Sequence, residues 1–359
     1  MLETAEHHLL SLKGDQNSRP PSRLPAFRAK APVRISFAGG GTDVSPFPET
    51  EGGVVLSATI DRYAHASLSP HELGHVRVES VDYGLSLDLK TKGEFEFNGD
   101  LDLVKAAIRR VWREEEPGYS LLSSSAAPPG SGLGSSSAMV VAIVAVLNRY
   151  YGIAMSEYDV ARTASVIERT DLGIEGGLQD HYAAAFGGFN FIEFTDQVIV
   201  NPLRIRADTI AELEMNLLLC YTGTTRRSDG IIRDQTQRLK DENVDTLQGL
   251  RNQKELAVAM KTALLHDELE DFGWLLGQAW EAKKKLSPKI TNALIDEVYF
   301  VAIKNGAIGG KVTGAGGGGY VLLYVDFERR HRVAAAVERL GVTVSNFAFA
   351  SEGVRTWRR

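Results

Sequence analysis

Apolar and polar residues alternate in the first third of the chain and later recur at helical spacing, so strands are expected to lead and helices to follow. From Ala31 onward, Val33, Ile35 and Phe37 fall on one side of an extended segment and Arg34 and Ser36 on the other, which predicts a strand with one polar face. The turn GGGTD at 39–43 ends it. GVVLSATIDRYAHASLS at 53–69 reads as one long strand or two in succession, and VRVESV and LSLDL continue the β-rich stretch. Leu101, Val104, Ile108 and Val111 then form a helical stripe over 101–112. AMVVAIVAVLNRY at 138–150 is apolar nearly all round, as in a buried helix. Ser156 with Asp159 reads as a capping pair for the next helix, whose inner face is Val160, Ala164 and Ile167.

The pattern changes after Pro202. A strand is expected at 215–221, then helices over 251–265, 272–286 and 292–305 with Gly306 as the stop signal, then strands at 307–312 and 320–325, a helix around 330–340 and a strand over 342–350. The order predicts an α+β fold with helices on one sheet face. Residues 1–26, with SRPPSRLP near their end, read as a mobile extension, 27–205 as a first domain and 206–359 as a second.

Composition narrows the class. At 359 residues, 43% hydrophobic and 24% charged, the chain is long enough for two domains and ordinary for a globular protein. A formal charge of −6 and the lack of any dense Lys/Arg run argue against nucleic acid as a partner. No apolar run is long enough to span a bilayer and no signal-peptide core opens the chain, so neither a membrane nor export is expected. The single cysteine, Cys220 in MNLLLCY, predicts a buried free thiol in a reducing, cytoplasmic setting.

The strongest chemical signal is PPGSGLGSSSA at 128–138, at the mouth of the predicted buried helix. Gly130, Gly132 and Gly134 admit left-handed backbone and close ligand approach, Ser135, Ser136 and Ser137 are N-cap types, and a helix N-terminus attracts anions. Standard fingerprints fail. Gly310-Lys311 has Asn305 where a P-loop needs its first glycine and Val312 where it needs Ser or Thr. GxGxxG at 314–319 runs into YVLLYVD, a strand pattern where a dinucleotide site requires a helix. HELGH at 71–75 matches HExxH, but Pro70, Gly74 and the flanking strands place it in a hairpin loop rather than on the helix that a zinc site needs. The plain alternative for 128–138 is a flexible connector.

Three glycine-rich elements, APVRISFAGGGTD, PPGSGLGSSSA and KVTGAGGGG, occur in that order, and from about Ala29 to its end the chain resembles the GHMP kinase superfamily, which includes galactokinase, homoserine kinase, mevalonate kinase and phosphomevalonate kinase. The resemblance implies a two-domain fold, the N-terminal part ribosomal protein S5 domain 2-like and the C-terminal part ferredoxin-like, and ATP-dependent kinase activity. It implies that Pro129, Gly130, Ser131, Gly132, Leu133, Gly134, Ser135, Ser136 and Ser137 wrap the ATP phosphates. Ser135 or Ser136 would join Glu168 at Mg²⁺, and Asp180, twelve residues after Glu168, would take the proton of the acceptor hydroxyl. These types suit phosphoryl transfer, which needs positioning, neutralisation of spreading charge and a proton acceptor. Arg34 would act on Asp180 electrostatically or steady the moving phosphoryl group, with a surface carboxylate partner as its plain alternative.

On the substrate side the resemblance implies Gly40, Gly41, Thr42 and Asp43. Galactokinases carry GEHTD there, and Gly40 and Gly41 replace its Glu and His, leaving room for a bulkier sugar. An Asx-turn is the plain reading of Asp43. Thr313, Gly314, Ala315, Gly316 and Gly317 of the third motif would buttress the phosphate loop or touch ligand. Arg226, in YTGTTRRSDG, is a candidate clamp for a substrate phosphate, with a solvated charge as its plain alternative. RISFAGGGTD, GGVVLSATID and AAAFGGFNFIEF are most similar to the superfamily's D-glycero-D-manno-heptose 7-phosphate kinases. That implies transfer to the anomeric C1 hydroxyl of that sugar phosphate, on the way to nucleotide-heptose and to lipopolysaccharide or capsule. A kinase for an unphosphorylated hexose such as fucose or galactose stays open, as do a sugar- and ATP-binding regulator and a homodimer.

Overall fold

The alternation that opens the chain becomes strand β1, Phe27–Ala38, but its polar face is also buried, because the second half of the chain closes over it. The computed structural model describes residues 25–71, 74–89, 95–111, 118–224 and 229–359. All but the last two residues of the expected N-terminal extension therefore lie outside the described residues. Arg226 and its neighbour Arg227 lie outside them too.

Strand β1 pairs antiparallel with β2, Gly53–Pro70, which is one strand of 18 residues rather than two. The halves of β2 take different second partners. One half joins β5, Tyr119–Ser125, and the other joins β6, Phe189–Phe194, which in turn pairs with β7, Val198–Pro202. Beyond β5 come β3, Val76–Ser80, and β4, Leu85–Leu89. Strand β5 thus lies between β2 and β3. The HELGH segment is therefore not a hairpin loop but a connection between strands that do not pair, and its Glu72 and Leu73 lie outside the described residues.

Short α1, Phe47–Glu51, follows the glycine turn. Helix α2, Asp102–Val111, carries the predicted stripe. Helix α3, Ser135–Tyr151, packs on β1 and β2 and buries every residue of 137–148, as an all-apolar helix must. It begins three residues before the expected start, so the serines form its first turn and Gly134, not a serine, is the N-cap. Helix α4, Glu157–Val166, has the predicted Ser156–Asp159 capping box and runs into a π-turn, Ile167–Asp171. Helix α5, Gln179–Phe186, follows.

The second sheet contains β8, Leu217–Tyr221, β9, Ala307–Val312, β10, Tyr320–Val325, and β11, Thr343–Ser345, in the antiparallel order β11-β8-β10-β9. Counted within this half, that is strand order 4-1-3-2, a ferredoxin-like sheet. Its helices are α6, Ala207–Asn216; α7, Asp229–Lys240; α8, Val244–His266; α9, Leu269–Lys284; α10, Ala293–Asn305; and α11, Phe327–Glu338. Met215, expected in a strand, belongs to α6, and α8 begins earlier than its apolar pattern because Asn243 accepts from Thr246 N and caps it. Most of the strand expected over 342–350 is not formed. After Ser345 the chain returns to the first sheet, where Gly188 N donates to Ala350 O and β12, Arg355–Arg358, pairs with β1.

Cys220 is buried, and burial pushes its thiol up to about 12. Among the described residues, no helix is long and apolar enough to cross a membrane.

Candidate active site

Gly134 stands in left-handed conformation, φ 74°, at the head of α3. The N–H groups ahead of Ala138, which donates to Gly134 O at 3.0 Å, have no intrahelical acceptor and face a cleft of about 180 Å³. The cleft collects residues from both halves: Arg34, Ser36, Gly40, Gly41 and Asp43 from β1 and its turn, Gly130, Gly132, Gly134 and the three serines of the loop but not the buried Ser131 and Leu133, Glu168, Gln179 and Asp180, Lys283 from α9, and Gly314, Ala315 and Gly316. Thr42 turns away from it, its hydroxyl donating to Gly39 O and Val54 O.

Asp180 lies over the helix mouth. A Cβ on Gly134 would stand 3.1 Å from its carboxylate, close enough that the carboxylate would have to shift by a few tenths of an ångström. Arg34 Nε donates to Asp180 Oδ1 at 2.7 Å and Arg34 Nη1 to Gly132 O at 2.6 Å, one guanidinium fastening carboxylate and loop together. The third motif packs behind the loop: Tyr320 N donates to Ser131 O, and a Cβ on Gly132 would be 2.6 Å from Thr313 O. Pro129 and Leu133 complete the loop, and Leu133 O accepts from Arg34 N. Gly317 N donates to Ile290 O, which anchors the third motif to the chain ahead of α10.

Glu168 sits in the π-turn and is 2% exposed. Its Oε2 accepts from Ser137 Oγ at 2.8 Å, lies 2.7 Å from His181 Nε2 and is paired with Arg169. Burial favours the neutral acid, but His181, Arg169 and Ser137 outweigh it and hold the carboxyl at about 2. These contacts all go to Oε2, leaving Oε1 as the oxygen open to a cation. Of the two serines expected beside it, Ser135 donates to Pro128 O, while Ser136 is exposed at the cleft. The serine that meets Glu168 is Ser137.

Asp43 is buried, and its carboxylate accepts from Gly41 N, Gln179 N and Gln179 Nε2 at 3.0–3.1 Å. A Cβ on Gly177 would overlap Asp43 Oδ2, so the glycines between Glu168 and Asp180 let the two segments close together. Both Asp43 oxygens are already engaged, and the direct link from Gln179 to its neighbour Asp180 makes Asp43 an anchor for the start of α5.

Several residues here escaped the sequence reading. Ser36 lies on the polar face beside Arg34, and Gln179 precedes Asp180, so their positions were legible. Lys283 was hidden in a short KKK run, and nothing in the pattern singled out His181 or Arg169. Lys311 is buried, its Nζ donating to Ser36 O and Phe37 O, and burial pushes its ammonium well below the ordinary range.

An anion-binding helix mouth facing a carboxylate held by a guanidinium, in a cleft between two α/β halves, is the equipment of a small-molecule kinase. Residues 102–188 match the GHMP kinases N terminal domain and 260–343 the GHMP kinases C terminal region. The chain is 37% identical over 340 residues, 93% of its length and 100% of the relative's, to the D-glycero-alpha-D-manno-heptose 7-phosphate kinase of Campylobacter jejuni. A crystal structure of a D-glycero-D-manno-heptose 1-phosphate kinase from Bacteroides thetaiotaomicron superposes with a TM-score of 0.76 at 34% identity, covering 92% of this chain and 98% of that one. The bifunctional fucokinase/GDP-fucose pyrophosphorylase of Arabidopsis thaliana is 27% identical over 88% of this chain and 32% of its own length. The chain belongs to the GHMP kinase family, whose members use ATP as phosphoryl donor.

Proposed function

We propose that this enzyme transfers the γ-phosphoryl group of ATP to the anomeric C1 hydroxyl of D-glycero-D-manno-heptose 7-phosphate, giving the 1,7-bisphosphate for nucleotide-heptose and surface-polysaccharide synthesis in the cytoplasm. Likeness to the Campylobacter enzyme supports the substrate. The observation that carries the chemistry is the Arg34–Asp180 pair over the mouth of α3. Asp180 takes the C1 hydroxyl proton as the oxygen bonds to the γ-phosphorus, and the bond to the β-phosphate oxygen breaks to release ADP. Arg34 keeps the carboxylate over the loop. The free N–H groups at 135–137 bind phosphate oxygens, and the third motif keeps the loop in place.

Mg²⁺ fits the donors present: Glu168 Oε1 and the exposed Ser136 hydroxyl are hard oxygen donors that would hold it beside the ATP phosphates. When bound, the ion neutralises charge on the phosphoryl oxygens. Ser137, His181 and Arg169 hold Glu168 ionised for it. Residues 27–205 and 206–359 form the two domains, with the segment after Ser345 crossing back to the first.

ADP release measured with heptose 7-phosphate beside fucose, galactose and mannose tests this reading. The heptose phosphate is expected to give a kcat/KM at least about 100-fold above each hexose, because an enzyme that hydrogen-bonds its substrate's polar groups discriminates strongly against analogues that lack one. A faster reaction with fucose would replace the substrate. No ADP with any sugar would favour a binding regulator.

A further inference from the structure

The cleft holds a second group of polar atoms that the Arg34–Asp180 pair leaves unused. Ser36 Oγ and Gln179 Oε1 are buried without a hydrogen-bond partner. Lys283, in the last turn of α9, is 4% exposed and its Nζ makes no hydrogen bond or ion pair among the described residues. All three line the cleft and meet at Gly40. A Cβ there would stand 3.3 Å from Ser36 Oγ, 3.7 Å from Gln179 Nε2 and 3.8 Å from Lys283 Nζ. Since Gln179 Nε2 is committed to Asp43, the amide orientation is set and Oε1 remains the free acceptor. A buried polar group with no partner costs about 1–3 kcal/mol. Two such atoms, together with an ammonium that has no ion-pair partner, on residues lining one glycine-walled gap call for a polar occupant.

The mixture of donors and acceptors selects it. An ammonium donates, an amide oxygen accepts and a serine does both, which matches hydroxyl groups. A phosphate offers acceptors alone and would be repelled by Gln179 Oε1 and the nearby Asp43 carboxylate. We propose that Ser36, Gln179 and Lys283, under Gly40, form a specificity subsite for sugar ring hydroxyls next to the hydroxyl that reacts, and that the substrate's own phosphate is held outside it. The proposal rests on the sugar-kinase reading above.

The test is steady-state ADP release by wild type, Lys283→Met and Ser36→Ala, using the sugar of the panel that wild type turns over fastest. Each variant is expected to raise the sugar KM about ten- to a hundredfold, the loss of one or two hydrogen bonds from the bound state, with the ATP KM within about twofold of wild type. Lys283→Met should not lower the melting temperature, since it replaces an unpaired buried cation with an apolar chain. Burial pushes the Lys283 ammonium down to about 8 against the pull of Asp43, with Arg34 and Lys311 also facing it. The wild-type sugar KM should therefore rise above about pH 8 as that charge is lost, and the rise should be absent in Lys283→Met. Unchanged sugar KM in both variants of an active enzyme would overturn the subsite alone. A wild type inactive on every sugar would overturn the kinase reading and the subsite with it.

Discussion

A carboxylate taken out of water ordinarily becomes harder to ionise, yet Glu168 is held at about 2. The cause is local: His181, Arg169 and Ser137 converge on one oxygen and outweigh the burial. A carboxyl lowered in the folded state contributes stability that is fully present above its unfolded value, 4.5, and is lost as pH falls toward 2. Glu168→Gln is therefore expected to destabilise the protein by about 1–3 kcal/mol at pH 7, by leaving buried donors poorly paired. Denaturant melts from pH 7 to 3 should show that gap narrowing below pH 4.5, because the wild type loses what the variant never had. A gap that stays constant with pH would mean that the carboxylate charge does not matter there.

Among elements, α3 and the loop before it matter most. Gly134 combines a positive φ with a Cβ direction aimed at Asp180, so Gly134→Ala should act twice. The left-handed backbone costs a side chain about 1–2 kcal/mol, a few degrees in melting temperature for a chain of this size. Pushing the carboxylate aside should lower kcat by at least about tenfold, since small misplacements of a reacting group are costly. A kcat loss no larger than the loss of folded protein would detach Gly134 from the chemistry. Strand β1 was legible from its alternation and helix α3 from its unbroken apolar run, while β2 read as strand without its pattern deciding between one strand and two. The short helices were not: α6 ends at Asn216 in direct contact with β8, so its last residues read as the start of that strand. The site was legible as three glycine motifs with Glu168 and Asp180 spaced between them. Lys283 and His181 were not, because their roles come from burial by segments distant in the chain, which no local pattern records.

At the scale of the molecule, the two halves are tied through the chain's end. Thr59 Oγ1 donates to Ala350 O, Ile60 bridges Phe349, and β12 extends the first sheet beside β1. Lys311 of the second half fills the carbonyls of Ser36 and Phe37 in the first. Unfolding of one half therefore strips partners from the other, and calorimetry should show a single cooperative transition; two resolved transitions would mean the halves are independent. The same closure puts Asp180 and Arg34 of one half against Lys283 and the third motif of the other, so the chemistry depends on both halves. The most direct test is Asp180→Asn, comparing kcat with ATP binding in the same preparation. Removal of the proton acceptor is expected to lower kcat by about 10²–10⁴ while the ATP Kd stays within about threefold of wild type. Turnover close to wild type would contradict the account.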